Sequence, residues 1–184
     1  MTLKTLHQLI GHGDKDKRVE NDFYATPTFA TEELLKRETF DGKIWEPACG
    51  DGAISKLLIN KGYEVYSTDL IDRGYGDDHF DFMKTLEPCE NIITNPPFNI
   101  GTKFTIHALN CATKKVAIFN KLSFLEGKER RDNLFCRRNL HTVYVFSERV
   151  SFSPGNSQNK GGMLAFAWYV FDKTYYGNPT IEWI

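Results

Sequence analysis

The stretch Asn91-Ile92-Ile93-Thr94-Asn95-Pro96-Pro97-Phe98 decides how the whole chain is read. Its apolar, β-branched start predicts a short buried strand, and a helical pattern resumes near Gly101. Asn95-Pro96-Pro97 is then a loop leaving the carboxyl end of that strand. Two consecutive prolines remove two backbone donors and hold the residues before them extended. The Asn95 side chain and the Pro96 carbonyl stand as rigid acceptors beside the Phe98 ring, which makes a pocket for a flat group bearing an amine. The exocyclic amine of adenine fits, because two acceptors can each take one N–H and turn its delocalised lone pair outward. Stacking of the base on Phe98 adds roughly 1–3 kcal/mol. The tripeptide alone reads first as a stiff turn, and a second motif upstream tips the reading toward the pocket.

Upstream, Lys43-Ile44-Trp45 reads as a strand that runs into Glu46-Pro47-Ala48-Cys49-Gly50-Asp51-Gly52. A helix follows, with apolar Ile54, Leu57 and Leu58 and a stop at Lys61-Gly62. Strand, glycine-bearing turn and helix in that order are how a parallel sheet presents a small charged ligand to free N–H groups at its switch point. The next strand, residues 64–68, ends in Asp69, where an acid either caps the chain or accepts from ribose hydroxyls. Ahead of both, Asp22-Phe23-Tyr24-Ala25-Thr26-Pro27 leads into a helix carrying Phe29, Leu34 and Leu35. Thr26 is expected to cap it with Pro27 at its first position, and Glu32 and Glu33 suit its start.

Beyond the Pro-Pro loop, Phe104, Ala108 and Cys111 recur at helical spacing, and residues 116–119 read as the following strand. A charged helix is expected over 128–138 with Leu134 and Phe135 inward, a strand over 141–146 and a polar loop over 147–162. The apolar run 163–171 predicts a strand buried on both faces. Residues 1–20 read as a flexible polar arm ahead of a single domain over 21–184. The cysteines, Cys49, Cys89, Cys111 and Cys136, are scattered, without a Cys-x-x-Cys or histidines at ligand spacing, so neither a metal site nor a disulfide framework is expected. The longest apolar run is too short to span a bilayer and the start lacks signal-peptide features, which points to a cytoplasmic protein. Net charge is −1, yet residues 1–102 carry 11 basic and 18 acidic side chains against 11 and 4 in residues 103–160. The positive charge lies after the Pro-Pro loop.

Taken together, these motifs resemble the S-adenosylmethionine-dependent adenine-N6 DNA methyltransferases. Residues 46–52 are similar to the cofactor motif of that family, Asn95-Pro96-Pro97-Phe98 to its catalytic motif and residues 22–27 to its N-terminal methionine-binding motif. The apolar segment 162–171 and the tail Pro179-Thr180-Ile181-Glu182-Trp183-Ile184 further resemble small stand-alone members from bacteriophages and prophages. The resemblance covers the chain from about residue 22 to its end. It implies a Rossmann-like α/β fold, a seven-stranded, mostly parallel sheet with the last strand antiparallel and helices on both faces. It further implies that Tyr24 and Thr26 contact the methionine end of S-adenosylmethionine, and that Glu46, Ala48 and Gly50 line its methionine and ribose side. Asp69 would bind the ribose, Asp81 and Phe82 the adenine of the cofactor. Asn95, Pro96, Pro97 and Phe98 would be catalytic.

The same resemblance places Lys128, Arg130, Arg131 and Lys160, with Arg137, Arg138 and Arg149, near the substrate. There they would position phosphates without reading sequence. Phe152 is expected either in the core or against the target base, opposite Phe98. The implied activity is methyl transfer to the N6 amine of adenine in DNA, either single-stranded or with the base extruded from a duplex. The core elements use most of the residues after Phe98, which leaves no room for a separate target-recognition domain. Specificity is then low, carried by loops such as 147–162, or supplied by a partner or second subunit. The same acceptors also suit adenine in RNA or a glutamine amide of a protein, although the glutamine enzymes usually carry Tyr where this chain has Phe98. Outside enzymes, the alternative is a silent cofactor-binding subunit of a partner methyltransferase, against which the intact Asn95, Pro96, Pro97 and Phe98 argue.

Overall fold

The computed structural model describes residues 23–152 and 164–184. One strand in from an edge of its sheet, β1 (Ile44–Glu46) is buried at every position and pairs parallel with β2 (Val65–Ser67) on one side and β3 (Cys89–Thr94) on the other. β4 (Ala112–Lys121) continues the sheet parallel to β3. Next in the chain comes β5 (Leu140–Val145), and β6 (Phe166–Asp172) inserts antiparallel between it and β4. β7 (Thr180–Trp183) pairs parallel with β5 at the edge, with all four residues exposed. The order β2-β1-β3-β4-β6-β5-β7 is the seven-stranded, mostly parallel sheet expected from the sequence; its antiparallel member is β6, and β7 after it in the chain runs parallel to β5. Trp168, Tyr169 and Phe171 of β6 are fully buried. Each such ring removes roughly 150–250 Å² from water, so β6 anchors the sheet's middle.

Alternate residues of the central strands face opposite layers. Ala117, Phe119, Trp168 and Val170 turn to the face covered by α1 (Thr28–Leu35) through Ala30 and Leu34, and by α2 (Ala53–Asn60) through Ile54 and Leu58. Val116, Ile118, Tyr169 and Phe171 turn to the other, where α3 (Gly101–Cys111) lays down Phe104, Ala108 and Cys111. α2 stops as expected: Gly62 adopts φ +89°, and the Tyr63 N–H reaches back to the Leu58 carbonyl at 3.1 Å. No described helix is long and apolar enough to cross a membrane.

Three local expectations are corrected. Thr26 does not cap α1, because Pro27 holds the cap position without a side-chain bond and the Thr26 hydroxyl is taken by Asn95. The basic segment is not one helix: α4 (Lys128–Asn133) ends where Leu134 turns into the core, and a 3-10 turn, Phe135–Arg137, leads to Arg138 at φ +58°. β4 begins well before residue 116, since Lys114 and Lys115 find carboxylates beside the strand, Asp41 at 2.7 Å and the buried Glu38 at 2.7 Å.

The chain adds β2 to one side of β1 and then returns to add β3 on the other. The loops after β1 and β3 therefore leave neighbouring carboxyl ends, and the crevice between them is where open α/β sheets bind ligands.

Candidate active site

The loop after β1, the end of β2, residues 80–83, the loop after β3 and residues 23–26 enclose a cavity of about 510 Å³. Glu46, the last residue of β1, is 2% exposed; its Oε2 accepts from the Ser55 N–H at 2.8 Å and from the Ser55 hydroxyl. Burial pushes its carboxyl up to about 8, against the pull of the Ser55 bonds and with help from Asp51 and Asp69. Asp69 braces the glycine turn: Oδ2 accepts from the Gly50 N–H at 2.8 Å and Oδ1 from the Ile71 N–H at 2.9 Å. Gly50 adopts φ +57°, and any Cβ there would strike the Phe23 ring. It supports the wall from behind Phe23, whereas Ala48 and Asp69 line the cavity directly.

Across the cavity, Asp81 caps the 3-10 turn Phe82–Lys84, accepting from the Met83 N–H at 3.1 Å. Phe82 is 3% exposed and packs on Trp45, Phe104 and His107, so its ring is fixed. Glu46, Asp51, Asp69 and Asp81 all line the space, against one basic residue, Arg73, whose guanidinium rests 4.2 Å over the Phe23 ring. The cavity thus suits a ligand with net positive charge. Among the described residues no group of His, Cys, Asp or Glu could hold a metal ion.

At the end of β3 the Asn95 amide is fixed by the segment before α1. Its Nδ2 donates to the Tyr24 carbonyl at 2.9 Å and to the Thr26 hydroxyl at 3.0 Å. Its Oδ1 is buried and has no hydrogen-bond partner. Four other buried side-chain atoms among the described residues, on Thr31, Thr94, Asn120 and Asn139, likewise lack a protein partner, and of the five residues Asn95 is the one that lines the cavity. Pro96 is buried and Pro97 lines the cavity. Phe98 stacks on Tyr24 at 5.7 Å and 26°, leans on Phe166 at 5.8 Å, and carries the Lys121 ammonium 4.5 Å over its ring. Phe152 meets Tyr24 at 5.5 Å and Phe166 at 4.9 Å, which joins it to the aromatic layer beneath Phe98.

The basic residues divide. Arg130 is tied down, its Nε donating to the Glu126 carbonyl at 2.6 Å and its Nη1 to the Thr102 hydroxyl at 3.5 Å, so that it fastens α4 to the start of α3. Arg131 pairs with Asp132 at 2.7 Å, and Lys128 and Arg149 are exposed. Arg137 and Arg138 are not on this side: they meet Asn110, near the far end of α3, and the Tyr176 ring. Asp22 and Lys160 lie outside the described residues. The sequence reading missed Ser55, Arg73 and Lys121. The only signal for Lys121 was a charge closing an apolar strand, and Ser55 and Arg73 carried none.

The chain is similar to the modification subunit of a candidate type I restriction enzyme from Vibrio vulnificus (TM-score 0.59, 15% identity), covering 99% of this chain and 49% of that one. It therefore spans about half the length of that subunit. It is similar to a candidate RNA methyltransferase from Pyrococcus horikoshii (TM-score 0.62, 16% identity), covering 92% and 97%. It is also similar to the magnesium protoporphyrin IX methyltransferase from Synechocystis, crystallised with bound S-adenosylmethionine (TM-score 0.53, 12% identity), covering 93% and 90%. No protein-family model and no curated protein matches the sequence. At these identities the likeness is one of architecture: the chain has the Rossmann-like fold of the S-adenosylmethionine-dependent methyltransferases.

Proposed function

We propose that the protein transfers a methyl group from S-adenosylmethionine to the N6 amine of adenine in DNA. The observation that carries this reading is the Asn95 amide, whose two donors are committed to Tyr24 and Thr26 and whose buried Oδ1 accepts from nothing. An empty buried acceptor costs roughly 1–3 kcal/mol, and an arriving N–H removes that cost. With the Pro96 carbonyl as a second acceptor, both hydrogens of a conjugated amine are engaged and its lone pair is turned out of the ring. Phe98, backed by Tyr24 and Phe166, offers the base a fixed aromatic wall. No covalent link to the protein is required.

The acid-lined cavity beside Asn95 fits the proposed cofactor by charge, since a sulfonium and an ammonium outweigh one carboxylate. When bound, S-adenosylmethionine supplies the electrophilic methyl group. Glu46 would pair with the ammonium, Asp69 would accept from the ribose, and Asp81 and Phe82 would hold the adenine. Tyr24 and Thr26 act at both sites, because they shape the cavity and orient Asn95. Holding the two reactants in line can supply roughly 7–11 kcal/mol of the barrier. The choice of DNA rests on the motif resemblance and on the similarity to a restriction modification subunit.

The test is transfer of labelled methyl groups to matched single-stranded DNA, duplex DNA and RNA, with nucleoside analysis and Asn95→Ala as control. N6-methyladenine in DNA, absent with the variant, is the expected result. Label in RNA alone would move the substrate class, and cofactor binding without transfer to any of them would favour a partner-dependent subunit.

A further inference from the structure

Lys121 closes β4 beside the catalytic loop, and its backbone is fixed on several sides. Its N–H donates to Asn120 Oδ1 at 2.8 Å, its carbonyl accepts the Tyr169 hydroxyl at 2.9 Å, and it sits in register with Phe166 across β6. Its side chain is half-buried, and the ammonium rests on the Phe98 ring. Among the described residues no carboxylate pairs with it. The other lysines of the same strand behave differently: Lys114 pairs with Asp41 and Glu90, and Lys115 with Glu38. The acids near the pocket are engaged elsewhere, Glu46 with Ser55, Asp69 with backbone N–H groups and Asp81 with Met83 and Lys84. Lys121 therefore carries a charge on the Phe98 ring that no carboxylate among the described residues neutralises.

The Phe98 ring already bears both Tyr24 and Lys121. A base can stack there only if one of them moves aside. Tyr24 is the less free of the two, because its carbonyl orients Asn95 and its ring also meets Phe152. The lysine stem has four rotatable carbons, and among the described residues its ammonium rests on the ring. A nucleotide whose base stacks on Phe98 brings its own phosphodiester toward the ring that the Lys121 ammonium already reaches. A compact charge on a mobile stem is suited to a phosphate oxygen.

Building on the reading of the site as a nucleic-acid methyltransferase, we infer that Lys121 leaves Phe98 when the target base arrives and binds the phosphate flanking that nucleotide. It is thus a substrate-binding residue that exchanges a ring for an anion. Lys128 and Arg131, exposed on α4, can add phosphate contacts farther out, but Lys121 is the cation that touches the ring on which the base stacks.

The experiment is an anisotropy titration of a labelled single-stranded oligodeoxynucleotide containing one adenine, over a salt series, with saturating S-adenosylhomocysteine. Wild type, Lys121→Gln and Lys121→Arg are compared on the native oligonucleotide and on one with neutral methylphosphonates flanking the adenine. Lys121→Gln is expected to weaken binding to the native strand five- to tenfold at low salt and to flatten the salt slope by about 0.7, the value of one contact to a single strand. Lys121→Arg stays near wild type, and on the neutral strand wild type and Lys121→Gln bind alike. Equal losses on both strands, an unchanged slope, or a loss that tracks a lowered melting temperature would overturn the inference. So would a wild type that binds neither strand. A wild type that binds with the expected slope but transfers no methyl group would support the phosphate contact while overturning the adenine-transfer reading.

Discussion

β3 holds a buried asparagine in its amino-terminal half and is followed directly by a half-buried one, and the two side chains are used in opposite ways. Asn91, within the strand, donates to the Asp41 and Lys43 carbonyls at 2.8 and 3.2 Å and accepts from the Lys115 N–H at 3.3 Å, so no polar atom is idle. Asn95, just after it, donates to Tyr24 and Thr26 in the same manner but leaves Oδ1 empty. Asn91 stitches the loop before β1 and the start of β4 to the sheet. Asn95 is equally well oriented, yet its acceptor waits for something from outside the fold. The difference separates an asparagine whose side chain is spent on the fold from one that the proposed function assigns to chemistry.

Substitution at Asn95 is the strongest way to break this contrast. Asn95→Ala is expected to lower the turnover of methyl transfer by about 10²–10³-fold or more, the scale on which one preorganised polar group acts at a reacting centre. Cofactor affinity by titration and melting temperature stay close to wild type. Asn95→Asp keeps an acceptor but sets an oxygen against the Tyr24 carbonyl, so its turnover falls between alanine and wild type. Asn91→Ala inverts the pattern: denaturation should show a loss of roughly 1–3 kcal/mol from the stranded backbone groups, with turnover per folded molecule unchanged. A smaller effect is expected of Thr26→Val, which removes one of two acceptors that orient Asn95. A lost hydrogen bond of about 1 kcal/mol corresponds to a several-fold drop in turnover, read with cofactor at saturation.

Glu46 sharpens the comparison at a third position, since Oε2 is held by Ser55 while no described residue bonds Oε1. Its carboxyl titrates near 8 in the fold against 4.5 ordinarily. The folded protein therefore keeps a proton that the unfolded chain releases, and stability should fall as pH rises from about 4.5 to about 8. Glu46→Gln should flatten that part of the melting profile. Pairing with the ammonium of the cofactor needs the carboxylate, so cofactor affinity is expected to rise with pH over the same window. An affinity independent of pH there would remove Glu46 from the methionine end.

Most of the sheet was legible in the sequence because its signals are local. Apolar runs mark β3 and β6, glycines and prolines mark the two loops that face the cavity, and Asp69 closes a strand. What escaped notice was decided by residues far away. Lys114 and Lys115 look like loop until Asp41, Glu90 and Glu38 supply their partners. Thr26 has the pattern of a helix cap, but Asn95 competes for its hydroxyl and wins. The segment after Lys128 has the composition of one helix, yet the burial of Leu134 breaks it and sends Arg137 and Arg138 to the opposite end of α3. The motif loops were legible as the walls of one cavity; the partners that orient their side chains had to be seen in three dimensions.

The placement of Phe166 has a consequence for how activity is acquired. Phe98 leans on a residue of β6, a strand made long after the Asn-Pro-Pro-Phe motif and threaded between two others. Pairings so distant along the chain are slow to form, because a large loop must close before any contact rewards it. A nascent chain that has emerged only through β5 would contain the entire Asn-Pro-Pro-Phe motif without the ring that backs it. In refolding from denaturant, the recovery of helical signal should run ahead, and methyl transfer should return only with the slowest phase, so that catalysis reports the moment the sheet is closed.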